Sequence, residues 1–444
     1  MGGITRRIFV RQGGLALLAL GLPPEFLTRS LFARTRGAER KKTLICIFQR
    51  GAVDGLNMVV PFGEKAYYER RRSIAVPAPG RDNGAIDLDG FFGLHPMLRP
   101  LHELYARREL AIVHAVGSPH PTRSHFDAQD FMETGTPGVK STRDGWLNRV
   151  LEQTGCDCGG RTLADGSAHA ADHAAGQIAM ATQLPGNAAL RGIAMGSSMP
   201  RILRGSHPAL AIEDLDRFGI AGGRDASLQE TFARVYESDA GSVVGGAAGE
   251  AFDALAILKS ANPAQYRPAG GVAYPPGSFG RSLRQIAQLI KADVGVEVAF
   301  ADLGGWDTHQ AQGGAEGQLA RRFDELARGI RALYDDLGDR MNDVVLITMS
   351  EFGRTLAENG SGGTDHGHAN CMMVMGGGVG GGRILGDWPG LEREQLYEGR
   401  DLALTTDFRD IFAEVVAGHL GADRLEAIFP GHPIEQRRWR GVLA

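Results

Sequence analysis

Thr43-Leu44-Ile45-Cys46-Ile47-Phe48-Gln49-Arg50-Gly51-Ala52-Val53-Asp54-Gly55-Leu56-Asn57 joins a short apolar run to a polar, glycine-bearing turn. The run Leu44 to Phe48 reads as a core strand. A helical pattern follows near Met97 to Arg108, and then a second apolar run, Leu110 to Val116. Strand, helix and strand in that order suggest a parallel sheet, because parallel neighbours need a long crossover. The pattern recurs downstream. Leu283, Ile286, Leu289 and Ile290 repeat at helical spacing before an expected strand, Val294 to Leu303. Leu319, Phe323, Leu326, Ile330, Leu333 and Leu337 then form a long apolar stripe ahead of the strand Asp343 to Met349. A helix covering a sheet needs such a stripe, so it reads as core. A last strand, Cys371 to Met375, runs into the glycine-rich stretch 376–382, which lacks the Lys-Ser or Lys-Thr of a phosphate-binding loop and reads as turns. The expected fold is α/β, a three-layer αβα sandwich with a mostly parallel central sheet.

Between about 155 and 276 the composition shifts to Ala, Gly and Ser, which reads as inserted helical or loop material within a domain spanning 39–444. The 63 glycines in 444 residues are about twice the usual share of ~7%, without a collagen-like period, and 23% of residues are charged. That excludes fibrous and disordered classes. Removing the first 38 residues, which hold six Arg and one Glu, leaves 42 basic against 51 acidic side chains, a net charge of −9. Nucleic acid is therefore excluded as the expected partner.

Thr5-Arg6-Arg7-Ile8-Phe9-Val10-Arg11 pairs two arginines ahead of the apolar run Gly13 to Leu22 and Pro23-Pro24. This resembles a twin-arginine export signal over 1–38, read by the export machinery. The apolar run is about half the ~20 residues a membrane helix needs, and no other segment is expected to span a bilayer. The expected location is the periplasm or cell envelope. Cys156 and Cys158 are too close for an easy disulfide, and with His169 and His173 they match no standard zinc spacing.

In a parallel α/β sheet ligands gather at the carboxyl ends of the strands. After the successive strands come Gly51 to Asn57, Arg123-Ser124-His125-Phe126-Asp127, Gly304-Gly305-Trp306-Asp307-Thr308-His309 and Ser350-Glu351-Phe352-Gly353-Arg354. Gly363-Thr364-Asp365-His366-Gly367-His368 stands just before the Cys371 strand. Carboxylates and imidazoles converging from separate strand ends suit zinc, manganese, iron, magnesium or calcium. Asp54 before Gly55 also reads as a turn former, and Asp307 as a helix cap. The Asp365 to His368 cluster places three candidate ligands within four residues.

These five segments together resemble the DUF1501 family of exported bacterial proteins, related to the alkaline phosphatase and sulfatase superfamily, over nearly all of the mature chain. The resemblance implies an alkaline-phosphatase-like sandwich with one or two metal ions at the carboxyl edge of the sheet. It implies Asp54 as a ligand after the first strand, and Ser124 or Thr122 as a nucleophile at a helix N-terminus near the second. Ser124 also reads as a simple helix cap. Asp307 and His309 stand two apart where the superfamily has a spacing of four, and Glu351-Phe352-Gly353 replaces its Asp-His-Gly. His125, Asp365 or His368 then supplies the missing ligand, and His366 or His368 is the counterpart of the last His.

The first functional expectation is an exported metal-dependent hydrolase of a small anionic ester, phosphate, sulfate or related. One or two divalent ions (zinc, manganese, iron or calcium) activate Ser124 or a bound water, and Arg123 and Arg354 clamp the nonbridging oxygens. The alternatives are a metal-stabilised envelope binding or assembly protein without catalysis, and a single-metal enzyme of redox chemistry. Asp54, Asp307, Glu351, His366 and His368 are expected to converge, with Asp365 or His309 orienting a ligand from behind.

Overall fold

The computed structural model describes residues 41–154, 188–215 and 265–444. The export signal, Cys156, Cys158, His169 and His173 lie outside them. The element bounds follow the apolar pattern closely. β1 is Thr43–Gln49, β2 Leu110–Gly117, β3 Gly192–Met195, β4 Leu210–Ile212, β5 Val298–Leu303, β6 Val344–Met349, β7 Asn370–Gly376, β8 Arg383–Leu385 and β9 Thr406–Asp407. β5 begins four residues later than the apolar run because Gly295 takes a positive φ of 95°, which ends the extended backbone there. The principal helices are α1 Arg99–Ala106, α2 His125–Thr134, α3 Trp146–Thr154, α4 Ser278–Lys291, α5 Gln318–Leu337 and α6 Phe408–Leu420.

The nine strands form one mixed, largely parallel sheet in the order β8-β2-β7-β6-β1-β5-β3-β4, with β9 beside β2. β1 is parallel to both neighbours, β5 and β6. β7 alone runs antiparallel, Asn370 opposite Val116 of β2 and Gly376 opposite Val345 of β6. Its beginning therefore lies at the edge where its parallel neighbours end, and Thr364 to His368 join the other strand-end loops. Residues 192–195 and 210–212, within the stretch read as inserted, extend the central sheet from β5.

Alternate residues of each strand enter different cores, as a period of two requires. Ile45 and Ile47 pack with Leu104 of α1, Ile286 of α4 and Phe323 and Ile330 of α5. Leu44, Cys46 and Phe48 pack with Val150 of α3 and Ile411 and Phe412 of α6. Helices thus cover both faces of the sheet. The stripe Leu319, Phe323, Leu326, Ile330, Leu333 and Leu337 is buried throughout. Each such side chain contributes about 1.5–3 kcal/mol by leaving water. Asp407 begins α6 by accepting a hydrogen bond from the Arg409 amide. Cys46 and Cys371 are free and buried, and burial pushes both thiols up, so they behave as core residues. Among the described residues no helix is long and apolar enough to cross a membrane.

Candidate metal centre

His125 is the first residue of α2, Asp307 and His309 lie in the loop after β5, and His366 precedes β7 in a bridge with Arg354. One ligand atom from each of His125, Asp307 and His366 lies within 4.8 Å of the others. His125 Nε2 is 3.0 Å from His366 Nε2 and 3.5 Å from Asp307 Oδ2. His366 Nε2 is 3.3 Å from Asp307 Oδ1. His309 joins through the same two residues, its Nε2 at 2.9 Å from His366 Nε2 and 3.0 Å from Asp307 Oδ1. Two nitrogens bound tetrahedrally to one zinc at the usual bond length stand ~3.3 Å apart, a few tenths of an ångström more than the 2.9 and 3.0 Å between these rings.

The other ring nitrogens decide what the inner ones offer. His125 Nδ1 faces Glu351 Oε1 at 2.8 Å, His309 Nδ1 faces Asp365 Oδ1 at 3.1 Å, and His366 Nδ1 faces the Arg123 carbonyl at 2.8 Å. A carbonyl and two carboxylates can only accept, so each Nδ1 carries the proton. Every neutral ring is then left with a lone pair on Nε2, and His366 directs its own at those of His125 and His309 beside a carboxylate. With all three rings neutral, the lone pairs at 2.9 and 3.0 Å have no proton between them and repel. A cation removes that repulsion, and this arrangement of backing acceptors is the usual one behind metal-binding imidazoles.

Burial would push the Asp307 carboxyl up, but the hydrogen bond and charge of Arg354, with His309 and His125, hold it below its ordinary value. Burial likewise opposes ionisation of Glu351, and the hydrogen bonds from His125 and Gln129 outweigh it. The hydrogen bond to Glu351 raises His125, whereas burial lowers His366. Asp307 keeps 47% of its side-chain surface exposed, so the group opens to solvent.

Two glycines allow the strand-end loops to close together. Gly51, at φ 117°, would bring a side chain within 2.8 Å of the Asp307 amide, and its own N–H donates to Glu351 Oε1 at 2.9 Å. A side chain at Gly363 would come within 2.3 Å of the His309 backbone.

Several candidate residues fall elsewhere. Asp54 is not among the converging ligands. It is buried, and its Oδ2 accepts from Arg71 Nη1 at 2.6 Å and from Gln312 Nε2 at 2.7 Å. Glu351 is a support: fully buried, it accepts from His125, Gln129 and the Gly51 amide and from the Ser350 hydroxyl. His368 stacks on Tyr397 at 4.3 Å between ring centroids instead of joining His366. Asp365 backs His309 and also accepts from Asn359 at 3.1 Å.

Arg354 is no free oxygen clamp. Its side chain is fully buried and donates to the carbonyls of Ala52, Thr364, Gly51 and Trp306 and to Asp307 at 2.6 Å. Arg123 is engaged as well, its Nη2 at 2.6 Å from Glu398 and 2.7 Å from Asp401. Ser124 stands exposed at the N-cap of α2, and its side chain makes no capping hydrogen bond. Gln129, Asn359 and Gln312 had no sequence signal of their own. Gln129 sits one helical turn after His125, a spacing from which it could have been found. A surface cleft of about 380 Å³ between Gly80 and Arg99 shares no residue with this group.

Residues 41–434 match the family described as "Protein of unknown function (DUF1501)". The chain belongs to the DUF1501 family. The match takes in β1 and every residue of the histidine group, so membership and candidate centre rest on the same stretch of chain. No curated protein matches the chain.

Proposed function

We propose that this DUF1501 protein is a metal-dependent hydrolase of a phosphate, sulfate or related ester, with His125, Asp307, His366 and His309 holding one or two divalent ions. The observation that carries it is the set of Nδ1 partners, Glu351, Asp365 and the Arg123 carbonyl, which leaves the Nε2 lone pairs facing one another beside Asp307. Three imidazoles and a carboxylate favour zinc, manganese or iron over calcium, which prefers an all-oxygen shell. When bound, such an ion supplies Lewis acidity to an ester oxygen and lowers the pKa of water or of a neighbouring hydroxyl.

The chain's own groups have separate parts. Arg354 holds Asp307 ionised and in place. Glu351 fixes the His125 ring, and Ser124, the exposed residue preceding His125, is the candidate nucleophile. The amide groups of the first turn of α2, ten residues long, favour an anion at that end. Helices on both faces of the sheet and a site at its carboxyl edge support the finer reading of an alkaline-phosphatase-like sandwich. The pairing of Asp54 with Arg71 argues against that superfamily's two-zinc ligand set. Export by the twin-arginine route to the periplasm or envelope belongs to the same proposal, supported by Thr5 to Arg11.

One observation favours a second reading, a single-metal enzyme of redox chemistry. Arg354 is fully buried and spent on Asp307 and four carbonyls, and Arg123 gives its Nη2 to Glu398 and Asp401, which leaves no fully free arginine to clamp a dianionic group.

Elemental analysis of protein exported by its native route, followed by turnover of phosphate and sulfate esters, tests the proposal. Bound zinc, manganese or iron, with hydrolysis lost in His366→Ala and Ser124→Ala at equal folded concentration, is expected. Hydrolysis untouched by Ser124→Ala transfers the attack to water. No hydrolysis by metal-replete protein overturns the hydrolase reading.

A further inference from the structure

We infer that Gln312 is a positioning residue of this centre, joining the two loops that carry its ligands without touching them. The inference rests on the metal reading above. Gln312 Oε1 accepts from Thr308 Oγ1 at 2.8 Å and from Thr364 Oγ1 at 2.7 Å, while its Nε2 donates to Asp54 Oδ2 at 2.7 Å. Both lone pairs of the amide oxygen are thereby used, so the orientation of the amide is determined. Thr308 lies between Asp307 and His309, and Thr364 stands two residues before His366.

Neither loop has regular secondary structure around these residues, and a ligand set works only if held to within about 0.5 Å. The main chain supplies part of the rigidity. Gln312 N–H donates to Gly362 O at 2.8 Å, Ala311 N–H to Ser361 O at 3.0 Å and Thr364 N–H to Thr308 O at 3.1 Å. The anchor beneath is Asp54, fixed by Arg71, whose remaining donors reach Asn57 and the Thr355 and Leu356 carbonyls. Asp54, Arg71, Thr308, Gln312 and Thr364 are all buried. In a dry interior each of these hydrogen bonds has one geometry and no water to replace it. Asp54, following β1, thus reaches the metal centre through Gln312 and two threonine hydroxyls.

Cobalt(II) binding to the full chain tests this, read as affinity and as the visible absorption of the bound ion. Thr308→Val and Thr364→Val delete a hydroxyl at nearly constant volume; each is expected to weaken cobalt binding by about 10–100-fold and to change the spectrum. Thr308→Ser and Thr364→Ser keep the hydroxyl and are expected to bind with wild-type affinity, although loss of a buried methyl lowers their unfolding midpoints. A purely structural role would instead make affinity follow stability. Should a valine variant fail to fold, Thr→Ala is compared with Thr→Ser at the same position, since these two differ only in the hydroxyl. Valine or alanine variants that bind as wild type does overturn the inference, as do serine variants that weaken equally. Wild type that binds no cobalt overturns the metal reading itself.

Discussion

His125 Nδ1 lies 2.8 Å from Glu351 Oε1, joining the first residue of α2 to the residue two positions beyond β6 across 226 positions of chain. Glu351 is fully buried, so the bond forms away from competing water. Glu351→Ala is expected to lower affinity for zinc or manganese by about 10–100-fold without abolishing binding. Titration calorimetry of both proteins checks it, and complete loss would make Glu351 a direct ligand.

His366 makes both ring-to-ring contacts of the group, at 3.0 Å from His125 and 2.9 Å from His309. His366→Ala is expected to remove bound metal altogether. His368→Ala, two residues away but stacked on Tyr397, leaves metal content unchanged. Elemental analysis of the two purified variants distinguishes them, and equal loss would return His368 to the centre.

Asp54 and Arg71 form an ion pair at 2.6 Å with both side chains inaccessible to solvent. Asp54→Ala leaves the guanidinium buried without its partner, and a cost of about 3–5 kcal/mol is expected. Urea unfolding of metal-free protein measures this. Metal loss without a drop in metal-free stability would instead mark Asp54 as a ligand.

Burial pushes His95, His114 and His419 down to about 4, and the hydrogen bonds they donate to backbone carbonyls recover only part of that shift. His114 shows why the neutral ring is required: Nδ1 accepts from the Ala115 amide while Nε2 donates to Val59 O. The unfolded chain takes up protons at these rings below about 6.5, and the folded chain does not until about 4. Stability is therefore complete above 6.5 and falls as pH drops toward 4, by up to about 1.4 kcal/mol per pH unit for each histidine. Urea midpoints at pH 7 and pH 5 test the sign. His114→Gln should flatten the slope, and an unchanged slope would assign it elsewhere.

Much of the scaffold was legible in the order of residues. The stripe from Leu319 to Leu337 has helical period and is buried over its whole length, because the spacing of apolar side chains is what places a helix on a sheet. Strand ends were equally legible, and with them the loops holding His125, Asp307, His309 and His366, since polar residues crowd where an apolar run stops. Only the tertiary structure decided which of those residues meet. Asp54 and Glu351 are both carboxylates after core strands, yet one is neutralised by Arg71 and the other backs His125. His366 and His368 are two residues apart, and the chain direction into β7 sends only the first toward His125. A carboxylate or imidazole has the same intrinsic chemistry at every position. Whether it binds an ion, supports a ligand or pairs with a buried cation depends on neighbours brought from hundreds of residues away.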